Sequence, residues 1–312
     1  MAELGNDPLR GYWAILAGEA RPRFQGLRDG SGDGRSLHRK VGAALSLQAE
    51  CQLCEHRCRA RRDRGQVGKC GVAEDRIASH FPHHGEEWPL VPSYTIFFSG
   101  CNLRCAYCQN WEISTDPTVG EVIPPQALAR TIEARGAMPS GGADRWGIRN
   151  VNWVGGDPIP HLPYVLQVLV ELELDVPQVW NSNMYMTEEA LSILDGTMDV
   201  YLTDLKYGND GCAERLSHAP RYWEVVTRNH LQAASQGEVI VRHLMLPGHL
   251  ECCTLPILEW LARNLPRAAV NIMDQYHPQH LSYQFPELCR GLPAADHRFA
   301  LRRARELGLY LL

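Results

Sequence analysis

Three cysteines stand at C-x3-C-x2-C spacing in SGCNLRCAYCQN, residues 99–110, directly after the apolar run YTIFF. Cys101, Cys105 and Cys108 therefore share one tight loop at the end of a buried strand. A structural zinc site takes four protein ligands, whereas an iron–sulfur cube held by three cysteines keeps one iron for a ligand from outside. The spacing points to a cluster that does chemistry; the other reading is a zinc site completed by a remote cysteine or histidine. A second group, CQLCEHRCRARRDRGQVGKC, contributes Cys51, Cys54, Cys58 and Cys70. Four thiolates close a tetrahedral zinc or hold an auxiliary iron–sulfur cluster, and the residue types do not separate the two. Cys212, Cys252, Cys253 and Cys289 are dispersed and read as small buried hydrophobes.

The 312 residues are 45% hydrophobic and 21% charged, enough for one large domain or a domain with a small module. A net charge of −5 gives no overall basic field, so nucleic acid is not indicated as a partner. The basic run RCRARRDR reads as a solvated face. No apolar stretch approaches the roughly 20 residues of a membrane span, and the first residues lack the pattern of a signal peptide. The expectation is a cytoplasmic chain without a membrane partner. In that compartment clustered cysteines are metal ligands or reactive thiols rather than disulfides.

The elements that position these residues follow from period and punctuation. Residues 1–45 include RDGSGDGRS, which predicts a partly mobile extension with little regular structure. Residues 46–93 form the cysteine-rich segment and 94–312 the main unit. There, YTIFFSG, NVNWVGG, QVWNSN, DVYLTDLK, EVIVRHLML and VNIMDQY predict six strands. Helical patterns lie between them: PPQALARTIEARG, LPYVLQVLVELE, TEEALSILDG with Thr187 as N-cap, YWEVVTRNHLQAASQG and TLPILEWLARNLP, with DHRFALRRARELGL closing the chain. Six strand-then-helix units predict parallel strands with right-handed crossovers, in a partial barrel or a doubly wound sheet. Both gather ligands at the C-terminal strand ends. The first five strands run into SGCN, GGDP, NSN, TDLK and RHLMLPG, which places special and polar residues on one rim with the three-cysteine loop.

That loop, with Tyr107 before its last cysteine, resembles the radical S-adenosylmethionine (SAM) superfamily. The stretch FFSGCNLRCAYCQNWEIS, with the second cysteine group upstream and DVYLTDLKY, VRHLMLPG and NIMDQYHP downstream, is similar to the PflX-like homologues of pyruvate formate-lyase activating enzyme. The resemblance implies an α/β fold, a partial (β/α)6 barrel of parallel strands with a small N-terminal cysteine-rich metal-binding module. It implies a [4Fe-4S] cluster on Cys101, Cys105 and Cys108, with SAM chelated at the open iron. Reductive cleavage would give a 5′-deoxyadenosyl radical that abstracts hydrogen from a substrate of unidentified class: small molecule, peptide segment or protein. An electron donor such as flavodoxin or ferredoxin is implied too, and a second metal, zinc or an auxiliary cluster, at Cys51, Cys54, Cys58 and Cys70.

By the same resemblance Tyr107 leans on the adenine, and Gly155 and Gly156 let backbone approach the methionine amino group. Asp157 replaces the commoner glutamate there. Asn181, Ser182 and Asn183 stand where the activating enzymes carry DTNG, with Asn181 in place of the acidic residue and Met184 in place of the glycine. Asp204 and Lys206 match LDLK, and Arg242 and His243 hold a comparable place after the fifth strand. Each has a plainer reading: GGDP as a turn, Asp204 with Lys206 as a buried structural pair, and Arg242 with His243 as a solvated strand end. His80, His83, His84, Glu86 and Glu87 are candidates to stand beside the site or face substrate. The alternatives for function are an activase that places a glycyl radical on a partner protein and a non-catalytic metal-bound interaction module. The segment from Cys51 to about Ser93 is expected to cap the barrel mouth.

Overall fold

The computed structural model describes residues 7–28, 36–137 and 147–312, and in it the strands pair in chain order. They are β1 (Ile77–His83), β2 (Ser93–Phe98), β3 (Asn150–Gly155), β4 (Gln178–Ser182), β5 (Val200–Asp204), β6 (Glu238–Leu244), β7 (Ala269–Met273) and β8 (Tyr310–Leu311). β1 runs antiparallel to β2, and every later pair is parallel. The helices are α1 (Arg10–Leu16), α2 (Arg23–Arg28), α3 (Leu37–Ala49), α4 (Trp111–Thr115), α5 (Pro125–Gly136), α6 (Leu162–Glu171), α7 (Glu188–Ile193), α8 (Asp210–Ser217), α9 (Tyr222–Gln236), α10 (Leu255–Asn264) and α11 (Ala294–Glu306). Parallel neighbours require a crossover, and α5, α6, α7, α9, α10 and α11 supply one for each step from β2 to β8. Thr187 caps α7, its hydroxyl accepting from the Ala190 amide.

The expected fold class is corrected on two counts. The sheet is mixed and eight-stranded rather than six parallel strands. β1, IASHFPH, carries Pro82 and exposes alternate residues, which an edge strand tolerates but an apolar-run criterion passes over. β8 is only two residues long. The metal-binding module is also misplaced: among the described residues, the cysteine and histidine group whose ligand atoms lie together is Cys212, His249, Cys252 and Cys253, mid-chain. At the N-terminus Cys51 and Cys54 pack beside Leu53 in the core, Cys58 is exposed, and Cys70 faces Arg62. Helices α1 to α3 occupy residues where little regular structure is predicted, and residues 29–35 of the glycine-rich stretch lie outside the described residues.

Alternate strand residues face opposite sides of the sheet, which produces two cores. Phe98, Trp153, Trp180, Tyr201 and Val241 face the helices. Val179, Val200, Leu202, Ile240 and Ala269 face the lumen, where they meet Leu9, Tyr12 and Leu90. α1 thus plugs the mouth at the N-terminal strand ends. Glu238, which opens β6, accepts from the Gly11 and Tyr12 amides at 2.5 and 2.8 Å, and Asn150, which opens β3, donates to the Tyr12 hydroxyl at 3.0 Å. Residues 84–92 leave β1 at the same end, because His83 pairs with Ser93, and they lie between this plug and the cavity above.

Candidate active site

Toward the C-terminal strand ends the lumen-facing residues of β4 to β7 change from aliphatic to polar: Asn181, Asp204, Arg242 and Asn271 continue strands whose earlier residues are Val, Leu, Ile and Ala, and Asn152 of β3 joins them. Above them opens a cavity of about 420 Å³, whose wall includes Cys105, Tyr107, Cys108, Gly155, Gly156, Asp157, Asn181, Ser182, Asp204, Lys206 and Arg242. The structure therefore brings most of the rim predicted from sequence to one place.

Each cysteine of the loop has its own hydrogen-bonding neighbour. The Cys101 sulfur accepts from the Leu103 amide at 3.4 Å and lies 3.7 Å from Asn183 Nδ2. Ser217 donates to Cys105 at 3.0 Å, and Cys108 pairs with the Ser114 hydroxyl at 3.3 Å. Burial pushes the Cys101 thiol well above its ordinary value of 9.0, with Asp157 adding to the effect. Burial likewise raises Cys105 to about 11, against the pull of Lys206. Thiolates in this setting need a cationic partner, and the donors beside them suit charged sulfur.

GGDP holds this loop in place. Gly155 has φ of +125°, and a Cβ there would stand 2.0 Å from the Phe98 amide nitrogen; one on Gly156 would stand 2.1 Å from the Gly100 carbonyl. No other residue permits this approach. The Gly156 and Asp157 amides donate to the Phe98 and Gly100 carbonyls, joining the end of β3 to the start of the cysteine loop. Asp157 is buried and turns away from solvent, accepting from Ser182 Oγ at 3.1 Å and from the Asn183 and Ile159 amides at 2.8 and 3.0 Å. Burial lifts its pKa to about 7 despite these donors. It is a positioning residue that fixes NSN. Met184, which follows NSN, has a left-handed backbone with φ of +59°, a conformation that glycine adopts readily.

Lys206 Nζ stands 2.6 Å from Asp204 Oδ2. Burial opposes the ammonium, but Asp204 and Cys105 hold it above its ordinary value. Arg242 forms a fork with Glu87, both bonds 2.8 Å, and reaches Asn181 at 3.4 Å. Asn271 donates to Glu87 and Asn152 to Glu86, at 2.8 and 2.7 Å. Burial alone would raise the Glu87 pKa, yet Arg242 brings it below its ordinary value. The two glutamates therefore form the cavity floor. His243, adjacent to Arg242, does not line the cavity. It lies on the helix side, bonded to the Leu205 carbonyl and the Thr254 hydroxyl, and burial lowers it to about 4, so the ring is neutral. His80 and His83 pair with Tyr94 and Glu86, and His84 is exposed.

Residues 51–70 sit beside the cysteine loop. His56 bonds the Asn102 carbonyl, Arg104 donates to the Lys69 carbonyl, and Cys54 bridges to Met186. They buttress the loop from behind without lining the cavity, whose contribution from this part of the chain is Gly85, Glu86 and Glu87. Asn152 and Ser217 carry no motif in sequence, and the quoted stretches that contain Asn102, Ser114 and Asn271 assign them no role; except for Ser114, their partners lie far along the chain. By contrast H-x2-C-C at residues 249–253 is a local metal-type spacing, and it corrects the reading of Cys212, Cys252 and Cys253 as inert hydrophobes.

The donor set and the glycine-permitted approach fit an iron–sulfur enzyme of the barrel type, and comparison with known proteins agrees. Residues 95–261 match the Radical SAM superfamily, and the chain belongs to that family. It is 43% identical over 282 residues to an uncharacterized protein of Methanocaldococcus jannaschii, covering 88% of this chain and 80% of that one. Pyruvate formate-lyase-activating enzyme of Staphylococcus aureus is 25% identical over 173 residues, 50% of this chain and 62% of that enzyme. A crystal structure of Streptococcus suis SuiB bound to precursor peptide SuiA shares the fold with a TM-score of 0.51 at 13% identity, over 70% of this chain; the match spans 48% of SuiB. Among the described residues no helix is long and apolar enough to cross a membrane.

Proposed function

We propose that this chain reductively cleaves SAM and abstracts hydrogen from a substrate presented at the cysteine rim. The reading is carried by one observation: Cys105, Cys108, Tyr107, the Gly155–Gly156 backbone and the Asp204–Lys206 pair converge on a single cavity. Cys101, Cys105 and Cys108 would hold a [4Fe-4S] cluster, their neighbouring donors tuning its potential. When bound, the cluster supplies an electron that cleaves SAM to methionine and a 5′-deoxyadenosyl radical. The protein's part is to position reactants and exclude water. Asp157 fixes NSN against the cysteine loop, and Tyr107, held at steep angles to the Tyr207 and Tyr276 rings, lines the cavity. The polar floor of Glu86, Glu87 and Arg242 limits how deep a substrate enters. An electron donor such as flavodoxin or ferredoxin would reduce the cluster from outside.

The PflX-like motif order and the likeness to pyruvate formate-lyase-activating enzyme support a second reading, in which the substrate is a glycine on a partner protein. The test is anaerobic reconstitution followed by dithionite and SAM. A brown protein that forms 5′-deoxyadenosine, with alanine at Cys101, Cys105 or Cys108 eliminating product, is the expected result. A colourless protein that forms none would sink the proposal. A glycyl radical signal on an added partner would decide for the activase.

A further inference from the structure

The geometry points to a second metal centre, a closed single-zinc site of the Cys3His type at Cys212, His249, Cys252 and Cys253, which clamps the loop carrying Lys206 to the loop that follows β6. It is separate from the cysteine rim and owes nothing to the N-terminal cysteines. The four ligand atoms all lie within 4.8 Å of one another. His249 Nδ1 is 3.5, 3.4 and 3.8 Å from the sulfurs of Cys212, Cys252 and Cys253. Cys252 stands 3.8 Å from Cys212 and 3.9 Å from Cys253. Around one tetrahedral zinc, with Zn–S about 2.3 Å and Zn–N about 2.0 Å, the edges come to about 3.8 Å for sulfur–sulfur and about 3.5 Å for sulfur–nitrogen. These five distances match those edges, and the sixth, between Cys212 and Cys253, is within 4.8 Å. The four ligands of a [4Fe-4S] cluster bind four irons and those of a [2Fe-2S] cluster are split between two, so four ligand atoms this close together suit one ion.

The local backbone is built for this convergence. Neighbouring cysteines ordinarily point in different directions along a helix, but residues Leu250–Thr254 form a wide π turn that brings Cys252 and Cys253 to the same centre as His249. Asn209 caps α8 through the Cys212 amide at 2.8 Å, bonds the Cys252 carbonyl at 2.8 Å, and lies 3.3 and 3.7 Å from the sulfurs of Cys212 and Cys253. Gly208 is required because a Cβ there would stand 2.7 Å from the Cys253 carbonyl oxygen. On the outer side of His249, Nε2 lies 3.5 Å from Arg215 and 3.7 Å from Glu287, which pair with each other at 2.5 Å. With four protein ligands and no open position the site is structural. Because Gly208 and Cys212 follow Lys206 directly, the ion would fix the segment that feeds the cavity wall.

The test is metal content per chain, read by atomic emission. The parent and a C101S/C105S/C108S variant are each expected to hold one zinc that C212S/C252S lacks. As a control for folding, Cys252→His should retain the metal, and cobalt substituted for zinc should give visible tetrahedral thiolate bands that shift between parent and this variant. Three outcomes overturn the proposal: zinc content unchanged in C212S/C252S, iron–sulfur absorption lost from that variant in place of zinc, or a Cys212–Cys252 disulfide in metal-free parent.

Discussion

The two ends of the barrel are made from the same strands, yet one is sealed and the other holds a site. At the N-terminal end the inward positions of β4 to β7 are Val179, Val200, Leu202, Ile240 and Ala269, and α1 lays Leu9 and Tyr12 against them. One to two turns of the pleat further on, the inward positions are Asn181, Asp204, Arg242 and Asn271. The contrast teaches that period-two alternation decides only which residues face the lumen. What the lumen does at each level depends on the residue type placed there. Residues 84–92 divide the two regimes, with Leu90 in the apolar plug and Glu86 and Glu87 in the polar tier.

The division breaks most severely at the floor. Arg242→Ala leaves Glu87 buried with Asn271 as its remaining side-chain donor, and breaking one side of such a pair costs about 3–5 kcal/mol. Urea unfolding followed by circular dichroism measures this. R242A/E87Q should recover part of the loss, because the stranded charge is gone; a single-variant loss below about 1 kcal/mol would mean that water reaches the pair.

A smaller effect sharpens the sealed end. Asp199 is buried just before β5 and accepts from the Arg23 and Gln178 amides at 2.9 and 2.8 Å. Burial raises its pKa from 3.8 to about 6. The folded state therefore binds the proton more tightly than the unfolded chain. The resulting stabilisation is fully present below pH 3.8 and is lost as pH rises through about 6, roughly 2–3 kcal/mol at 1.36 kcal/mol per unit. Subtracting the stability profile of Asp199→Asn from that of the parent should expose this slope between those values; a flat difference would place the carboxyl in contact with solvent. Least of all, Tyr12→Phe removes the hydroxyl that accepts from Asn150, while Asn150 keeps the Leu90 carbonyl at 2.7 Å. The expected loss is about 1 kcal/mol, seen as a shift of the urea midpoint without change in slope.

Local chemistry was legible in sequence, and convergence was not. The six strands from β2 to β7 announce themselves as apolar, β-branched runs ended by special residues, and the cysteine loop follows from its spacing alone. β1 is hidden by Pro82 and its half-exposed pattern. The floor is hidden because nothing near GEEW signals that Glu87 meets Arg242, 155 residues away. Cys212 lies 40 residues from Cys252 and has no local companion, so its grouping depends on the β5 and β6 connections meeting above the sheet. His243 was misleading for the opposite reason: adjacent strand residues face opposite sides, so Arg242 at the cavity sends His243 behind the sheet.

The floor also orders the assembly of the chain. β1 and β2 pair across a short connection, but Glu87 gains Arg242 and Asn271 only across 155 and 184 residues. The entropy of closing such loops falls due before their contacts exist, which makes distant pairings late events. Until β6 and β7 arrive, the Glu87 carboxylate is better solvated by water than by an unfinished lumen. The hairpin that forms early must therefore hold its loop in waiting, and the bottom of the cavity is laid only when the far side of the barrel closes on it.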